Sequence, residues 1–156
     1  MEESGEKWGG VFVMFMGSFE HRIDSKGRLV LPARYRQSLG DTVVCTVGLD
    51  RCVAVYPMDE WERYLEKLRS LPFAKNDARQ FMRAVLGAAE ELTADKQGRI
   101  LINARLRAYA GLGEEVIVSG VMDHLEVWNK ERWTANDAAM LENFTSLAEG
   151  VGDLGI

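Results

Sequence analysis

The stretch DSKGRLVLPARYR, from Asp24 to Arg36, recurs 71 positions later as DKQGRILINARLR, from Asp95 to Arg107. Both stretches place an aspartate, a Gly-Arg pair, an Ala-Arg pair and a further arginine at the same offsets. Such an internal repeat has to be explained before a fold is assigned. Two copies are too few for a solenoid, but they suit a pseudo-symmetric pair that completes one core.

The repeat extends over a whole structural unit. A one-residue insertion near Gly113 changes the offset to 72, and the similarity then continues. The coinciding pairs after the insertion are Val44/Val116, Gly48/Gly120, Val55/Val127 and Trp61/Trp133. One such unit would leave about 40% of its unfolded surface exposed. Two copies that share one barrel bury more of that surface and also close the sheet edges.

Each copy shows the same order of predicted elements. A strand leads into a turn, Ser25-Lys26-Gly27 or Lys96-Gln97-Gly98, whose glycine tolerates positive φ. An aliphatic strand follows, RLVLP or RILIN, and then a short helix that ends at Gly40 or Gly111. Two more strands and a helix complete each unit, and a further helix, NDARQFMRAVLGAAEE, joins the copies. The sequence therefore predicts an α+β fold of two tandem units that ends in a loose tail, EGVGDLGI.

The composition is that of an ordinary soluble globular protein, with 47% hydrophobic and 28% charged residues. The net charge of −5 argues against a protein dominated by nucleic-acid binding, but the basic residues concentrate in the two repeated stretches. No apolar run approaches the roughly 20 residues that span a bilayer, so we predict a cytoplasmic protein. Cys45 and Cys52 fit no metal or redox spacing, and we expect them to be small buried side chains.

The chemistry of the repeat centres on two pairs, Asp24 with Arg28 and Asp95 with Arg99, each four residues apart across a glycine turn. A surface ion pair contributes only about 0–1 kcal/mol, so stability alone does not explain the duplication. An oriented guanidinium, however, matches phosphate oxygens or the O6 and N7 atoms of guanine. The accompanying basic residues are Lys26, Arg34, Arg36, Lys96, Arg105 and Arg107. The spacing alone leaves two interpretations equally open, a DNA contact or two solvated turns.

These residues resemble the MraZ family of bacterial transcriptional regulators, which are relatives of the AbrB/SpoVT regulators with two such domains in one chain. The likeness runs from about Met14 to Leu147 and rests on the D-x-x-x-R motif in DSKGRLVLP and DKQGRILIN, with Trp61 and Trp133 flanking it. The resemblance implies two AbrB-like swapped-hairpin β-barrel units that form a pseudo-dimer with flanking helices. The expected divisions are a disordered leader 1–13, a first domain 14–61, connecting helices 62–88, a second domain 89–133, and a C-terminal helix and tail 134–156.

The resemblance also implies a function. It predicts a homo-oligomeric ring in the cytoplasm and nucleoid that binds short G-rich direct repeats in promoter DNA and represses its own operon of cell-wall and cell-division genes. The DNA-reading residues transferred by position are Asp24, Lys26, Arg28, Asp95, Lys96 and Arg99. The copies differ in that Lys26 corresponds to Gln97 and Ser25 to Lys96, while Pro32 corresponds to Asn103. We therefore expect the first copy to contribute more to binding than the second.

The chain is not predicted to be an enzyme. It contains no GxSxG motif, phosphate loop or dinucleotide fingerprint, and the adjacent Glu90 and Glu91 do not form a catalytic pair. His21 and His124 are interpreted as ordinary strand residues rather than metal ligands, although His21 lies near the first motif. No metal ion, cofactor or small-molecule substrate is expected.

A second functional interpretation comes from the helices. Trp61, Tyr64, Phe81 and Trp133 fall at helix-packing positions, where a core or a subunit interface is the default expectation. A protein-interaction module, antitoxin-like or a scaffold with the AbrB fold, would use these helices to bind another protein. Such a module would not need the duplicated arginines.

Overall fold

The computed structural model describes residues 15–152. The elements of the first half are β1 (Ser18–Arg22), β2 (Arg28–Val30), α1 (Ala33–Leu39), β3 (Thr42–Gly48), β4 (Cys52–Pro57), α2 (Met58–Arg69) and α3 (Asn76–Ala88). The second half contains β5 (Glu90–Thr93), β6 (Arg99–Leu101), α4 (Ala104–Ala110), β7 (Glu115–Gly120), β8 (Leu125–Asn129), α5 (Lys130–Glu142) and α6 (Phe144–Val151). The order of elements from β1 to β4 and α2 therefore recurs from β5 to β8 and α5, as the repeat predicts.

The two copies exchange strands. One sheet has the order β1-β7-β8-β4-β3-β5, and a separate two-stranded ribbon pairs β2 with β6. Strand β1 of the first copy therefore pairs with β7 of the second, and β5 of the second copy pairs with β3 of the first. All pairings are antiparallel. This exchange confirms the swapped, α+β pseudo-dimer that the resemblance implies.

A pseudo-two-fold axis relates the copies. In the ribbon, Leu29 pairs with Ile100, and these two residues are equivalent in the repeat. In the sheet, Ala54 pairs with Glu126, and these two residues are also equivalent in the repeat, at the offset of 72. Equivalent residues face each other only where a two-fold axis passes between them. The axis therefore runs through both the ribbon and the centre of the sheet.

The ribbon closes the barrel on one side. Strand β1 turns directly into β2, and β5 turns directly into β6. The Asp24 amide donates to the Arg28 carbonyl at 2.9 Å, and the Asp95 amide donates to the Arg99 carbonyl at 2.9 Å. These bonds join the ribbon to the two outer strands of the sheet and satisfy edge groups that would otherwise be unpaired.

The core is shared between the copies. Leu31 and Ile102, which follow the two ribbon strands, are 2% and 0% exposed and lie in one cluster with residues of both copies. Cys45 and Cys52 are buried free thiols, as predicted. Since the cluster draws on both copies, neither unit has a complete core of its own.

The flanking helices pack on the outside of the sheet. Trp61 and Leu68 of α2 and Val85 of α3 form a second buried cluster on β3, and the Thr46 hydroxyl donates to the Val85 carbonyl at 2.6 Å. Helix α5 contacts the sheet through Trp133, whose ring lies 5.8 Å from that of Trp128. No helix within residues 15–152 is long and apolar enough to cross a membrane.

Two predicted boundaries differ from the structure. The joining helix ends at Ala88 rather than continuing through the glutamates, because Glu90 begins β5 and pairs with Cys45. The predicted loose tail begins within a helix, since α6 continues to Val151. The predicted disordered leader 1–13 and residues 153–156 lie outside the described part of the chain.

Candidate nucleic-acid interface

The first turn, residues Asp24–Arg28, is built around the carboxylate of Asp24. Its Oδ1 accepts from the backbone amides of Lys26 and Arg28 at 2.9 Å, and Oδ2 accepts from Arg28 Nε at 2.8 Å. The Gly27 amide donates to the Asp24 carbonyl at 3.0 Å, and Gly27 has φ +89°. The hydrogen bond from the Arg28 amide, together with its guanidinium, lowers the pKa of Asp24 to about 2. The carboxylate is therefore charged at neutral pH and fixes the orientation of Arg28.

The second turn, residues Asp95–Arg99, has the same construction. Asp95 Oδ1 accepts from the amides of Gln97 and Arg99 at 2.9 Å, and Oδ2 accepts from Arg99 Nε at 2.7 Å. Gly98 has φ +76°, and its amide donates to the Asp95 carbonyl at 2.9 Å. The hydrogen bond from the Arg99 amide again lowers the pKa of the aspartate. The repeated sequence thus produces a repeated local structure, including the position of the arginine.

The two arginines lie on one face of the ribbon. Side chains alternate across a strand, and the central residues Leu29 and Ile100 are buried. The outer face of the ribbon presents Arg28, Val30, Arg99 and Leu101. Val30 is 37% and Leu101 49% exposed, so two apolar side chains accompany the two arginines. Neither is among the site residues predicted from the sequence, although the alternation within RLV and RIL indicates them.

Each of these arginines keeps part of its guanidinium available. Arg28 and Arg99 bind their aspartates through Nε, and within residues 15–152 neither has a hydrogen-bond partner at Nη1 or Nη2. Their side chains are 33% and 26% exposed. The carboxylates of Asp24 and Asp95, by contrast, already accept three hydrogen bonds each. The geometry therefore gives the aspartates an orienting role and leaves the arginine edges for a ligand.

The remaining predicted basic residues separate into two groups. Lys26 and Lys96 are exposed on the turns. Arg36 and Arg107 reach the turns from the short helices and line the shallow clefts beside them. Arg34 packs instead over the ring of Phe19, with Cζ 5.1 Å from the ring centroid.

Arg105 also forms its hydrogen bond away from the turns. Its Nη1 donates to the Gly87 carbonyl at the end of α3, at 3.1 Å. The structure thus brings eight of the ten predicted site residues to the two turns. Arg34 and Arg105 are the two that contact other parts of the fold, namely Phe19 and the Gly87 carbonyl.

A sequence model of the MraZ family, whose description includes the words antitoxin-like, matches residues 14–84 and 85–151. The transcriptional regulator MraZ of Desulforamulus reducens is 50% identical over 141 residues, which cover 90% of this chain and 99% of that protein. The proteins of the same name from Natranaerobius thermophilus and Heliobacterium modesticaldum are each 46% identical, over 92% and 90% of this chain and 100% and 98% of their own lengths.

The chain belongs to the MraZ family.

Membership confirms the resemblance found in the sequence and the tandem AbrB-like architecture. The two matched segments meet between residues 84 and 85, within α3. The division into two domains with connecting helices at 62–88 stays a prediction. The family relatives are named as regulators of transcription and not as enzymes, which agrees with the class predicted from the sequence.

The clefts beside the two turns differ in charge. The first, of about 460 Å³, is lined by one cation, Arg107, and by the carboxylates of Asp24 and Glu114. The second, of about 210 Å³, is lined by Arg36 and Lys96, so two cations from different copies share it. Two carboxylates, those of Asp41 and Asp95, also line the second cleft. The two sites of this MraZ-family chain therefore share an arginine geometry but not an electrostatic environment.

The histidines have separate surroundings. His124 stacks on Tyr56 with ring centroids 4.8 Å apart, and its Nδ1 lies 2.6 Å from Asp123 Oδ1. His21 is partly buried, and burial, aided by the charge of Arg36, lowers its pKa. Across residues 15–152, no group of three or more His, Cys, Asp and Glu side chains is placed to hold a metal ion.

Proposed function

We propose that this chain is a sequence-specific DNA-binding regulator of transcription that uses the outer face of the β2–β6 ribbon to bind G-rich DNA. It acts in the cytoplasm, on the nucleoid, as a homo-oligomeric ring on direct repeats, and represses its own cell-wall and cell-division operon. The observation that supports this proposal is the fixed orientation of Arg28 and Arg99 on one ribbon face, each with unused guanidinium groups. The names of the relatives point to the same class of function.

The β2–β6 ribbon is two-stranded, and the major groove admits an α-helix or a two-stranded β-ribbon. Arginine bidentate to O6 and N7 is the commonest specific contact with guanine, and each such pair gives about 1–3 kcal/mol of discrimination. Arg28 and Arg99 are already ordered by their aspartates, so less conformational entropy is lost on binding. Val30 and Leu101 lie where they would meet apolar groups in the groove, such as a thymine methyl.

The lysines have a different part in this mechanism. Lys26 and Lys96 are flexible point charges on the turns and suit contacts with backbone phosphates. Phosphate contacts position a protein on DNA and make its affinity depend on salt, whereas base contacts specify the sequence. With a net charge of −5, one chain offers few such contacts, and we expect weak binding by a single unit.

A ring compensates for weak single sites. Several units facing several repeats gain affinity through effective concentration, and head-to-tail cyclic assembly suits direct rather than palindromic repeats. The helices offer two exposed apolar surfaces for such contacts. The surface around α3 presents Phe73, Phe81 and Leu86, and the surface of α5 and α6 presents Leu141, Phe144, Leu147 and Val151. Among residues 15–152, α5 and α6 bury none of their own side chains, which supports a partner subunit on that surface.

The same helical surfaces support a second candidate function. An antitoxin-like or scaffold protein would bind another protein through them, and the description of the matching family includes the words antitoxin-like. In that case the ribbon arginines would have no ligand and their removal would leave binding of the partner intact. The duplicated turn would then be a folding motif.

A binding experiment separates the two functions. The purified protein and its Arg28→Ala/Arg99→Ala variant are titrated, at two salt concentrations, with a duplex carrying three or four spaced TGGG repeats and with a scrambled duplex. We expect binding that requires the repeats and is lost in the variant. Equal, salt-sensitive binding of both duplexes would reduce the proposal to a non-specific phosphate contact. No binding by the oligomeric wild type would favour the protein-interaction module.

A further inference from the structure

Arg36 forms a hydrogen bond within the first copy, but its guanidinium packs against the turn of the second copy. Its Nε donates to the Leu31 carbonyl at 3.0 Å, directly after strand β2. The Leu31 amide in turn donates to the carbonyl of Gly98, in the second turn, at 3.0 Å. A Cβ atom built on Gly98 would lie 2.6 Å from both Cζ and Nε of Arg36. The guanidinium therefore occupies the space that a side chain at the second turn would need.

Arg107 repeats this arrangement in the opposite direction. Its Nε donates to the Ile102 carbonyl at 2.9 Å, and the Ile102 amide donates to the carbonyl of Gly27, in the first turn, at 3.0 Å. A Cβ atom on Gly27 would lie 2.9 Å from Cζ of Arg107. Each short helix thus supplies an arginine that covers the glycine of the opposite turn.

The contacts of Arg36 and Arg107 with the turn glycines affect the orientation of the ribbon arginines, Arg28 and Arg99. Gly27 and Gly98 immediately precede Arg28 and Arg99, and both glycines adopt a positive φ. Glycine has more backbone freedom than any other residue, so a planar group packed against it restricts the motion of the turn. The restriction adds to the one that the aspartate imposes from within the turn. The orientation of each ribbon arginine therefore depends on both copies.

We propose that Arg36 and Arg107 are positioning residues that act across the pseudo-two-fold axis. Arg36 of the first copy holds the second turn in the conformation that presents Arg99, and Arg107 of the second copy holds the first turn for Arg28. The DNA-binding part of this assignment rests on the proposed function. It makes Arg36 and Arg107 supports for the opposite turn instead of independent contacts with DNA.

The assignment predicts that, in the free protein, loss of each arginine increases hydrogen–deuterium exchange in the turn of the opposite copy. Hydrogen–deuterium exchange of Arg36→Ala is expected to rise several-fold in peptides covering residues 95–101 and to remain unchanged in those covering 24–30. Arg107→Ala is expected to give the reverse. Arg34→Ala removes the same charge from the same helix as Arg36 and serves as the control, since Arg34 packs over Phe19 and should alter neither turn. Arg36→Lys retains the charge but lacks the planar group, and the second turn should still exchange faster.

The DNA measurement is a pair of double-mutant cycles with the TGGG-repeat duplex. Loss of a bidentate arginine contact lowers affinity by about 5- to 150-fold, so Arg99→Ala alone should fall in that range. Adding Arg36→Ala to Arg99→Ala should change the affinity less than about twofold further, because both changes disable one turn. Adding Arg36→Ala to Arg28→Ala should multiply the two losses.

The outcomes separate this inference from the proposed function. Faster exchange in the residues 24–30 of Arg36→Ala, or equal changes in both turns, would overturn the crossed assignment. So would multiplicative losses for Arg36→Ala with Arg99→Ala. If the wild type binds neither duplex, the DNA-binding function is excluded, and the exchange pattern alone still decides whether each arginine holds the opposite turn.

Discussion

The first and second turns have the same backbone but different charges around it. In both, one aspartate oxygen accepts two amides at 2.9 Å and the other accepts the arginine Nε, at 2.8 Å in the first turn and 2.7 Å in the second. The first turn has Lys26, where the second has Gln97, and Lys96 of the second replaces Ser25. The aspartate, glycine and arginine are thus sufficient for the turn geometry, and the two intervening positions are free to change the charge.

The surroundings of the two turns differ as well. Pro32 is the N-cap residue of α1 and provides no side-chain cap, whereas Asn103, the N-cap residue of α4, accepts a hydrogen bond from the Leu106 amide at 2.9 Å and donates to Glu90 at 2.8 Å. The second turn is therefore followed by a helix with a side-chain cap and the first by a helix without one. These differences allow each copy to be tested against the other.

The largest expected effect comes from the turn glycines. Gly98→Ala and Gly27→Ala each force a side chain into a positive φ, which costs about 1–2 kcal/mol. They also displace the arginine of the opposite copy. The displacement is larger for Gly98, where the added Cβ would lie 2.6 Å from Arg36 Cζ, against 2.9 Å from Arg107 Cζ at Gly27. Urea denaturation should therefore show a greater loss of unfolding free energy for Gly98→Ala.

The control for this prediction replaces a glycine that has no neighbour. Gly111 is in the left-handed region, with φ +63° and ψ +36°, but a Cβ there would have nothing within 4 Å among the described residues. Gly111→Ala should therefore show the backbone cost alone. Equal losses for the variants at Gly27, Gly111 and Gly98 would show that the opposite arginine has no part in holding the turn.

A smaller effect is expected at the helix cap that distinguishes the second copy. Asn103→Ala should lower the free energy of unfolding by about 1 kcal/mol, because it removes the acceptor for the Leu106 amide. Asn103→Ser retains an acceptor and should preserve most of that stability. Both values come from urea denaturation of the same protein preparation. A loss as large in the serine variant as in the alanine variant would mean that the bond to Glu90, and not the cap, is the important one.

Local sequence chemistry predicted the elements and the turns well. The glycines after the short helices do end them, since α1 stops before Gly40 with φ +77° and α4 stops before Gly111 with φ +63°. The Asp-x-x-Gly-Arg arrangement likewise indicated the oriented arginines. The extent of the joining helix was wrong because pairing of Glu90 with Cys45 decides where that helix ends, and the local pattern contains no information on that partner.

The grouping of the basic residues needed the tertiary structure. Arg34 and Arg36 are two positions apart in a helix, so they cannot lie on the same face, and this rule could have separated them in the sequence. That Arg36 belongs with the second turn could not have been found in this way. It depends on strand exchange, which places the helix of one copy beside the turn of the other. The resemblance implied the exchange, but the contact itself is visible only in the structure.

The smallest expected effect concerns the lysines, and it tests whether the charge at each turn is interchangeable. Lys26→Gln gives the first turn the residue of the second, and Lys96→Ser gives the second turn the residue of the first. Each removes one contact to phosphate, so the slope of log affinity against log salt should fall by about 1, with the preference for the repeat duplex over the scrambled duplex unchanged.

The double exchange Ser25→Lys/Lys26→Gln is the control for Lys26→Gln, because it moves the charge within the first turn without removing it. If the lysines act as point charges on phosphates, this variant should keep the salt slope of the wild type, since a flexible ammonium on either position can reach the DNA backbone. A reduced preference for the repeats would instead show that Lys26 contacts a base edge. The first copy would then have a direct role in specificity that the second, with Gln97 at that position, lacks.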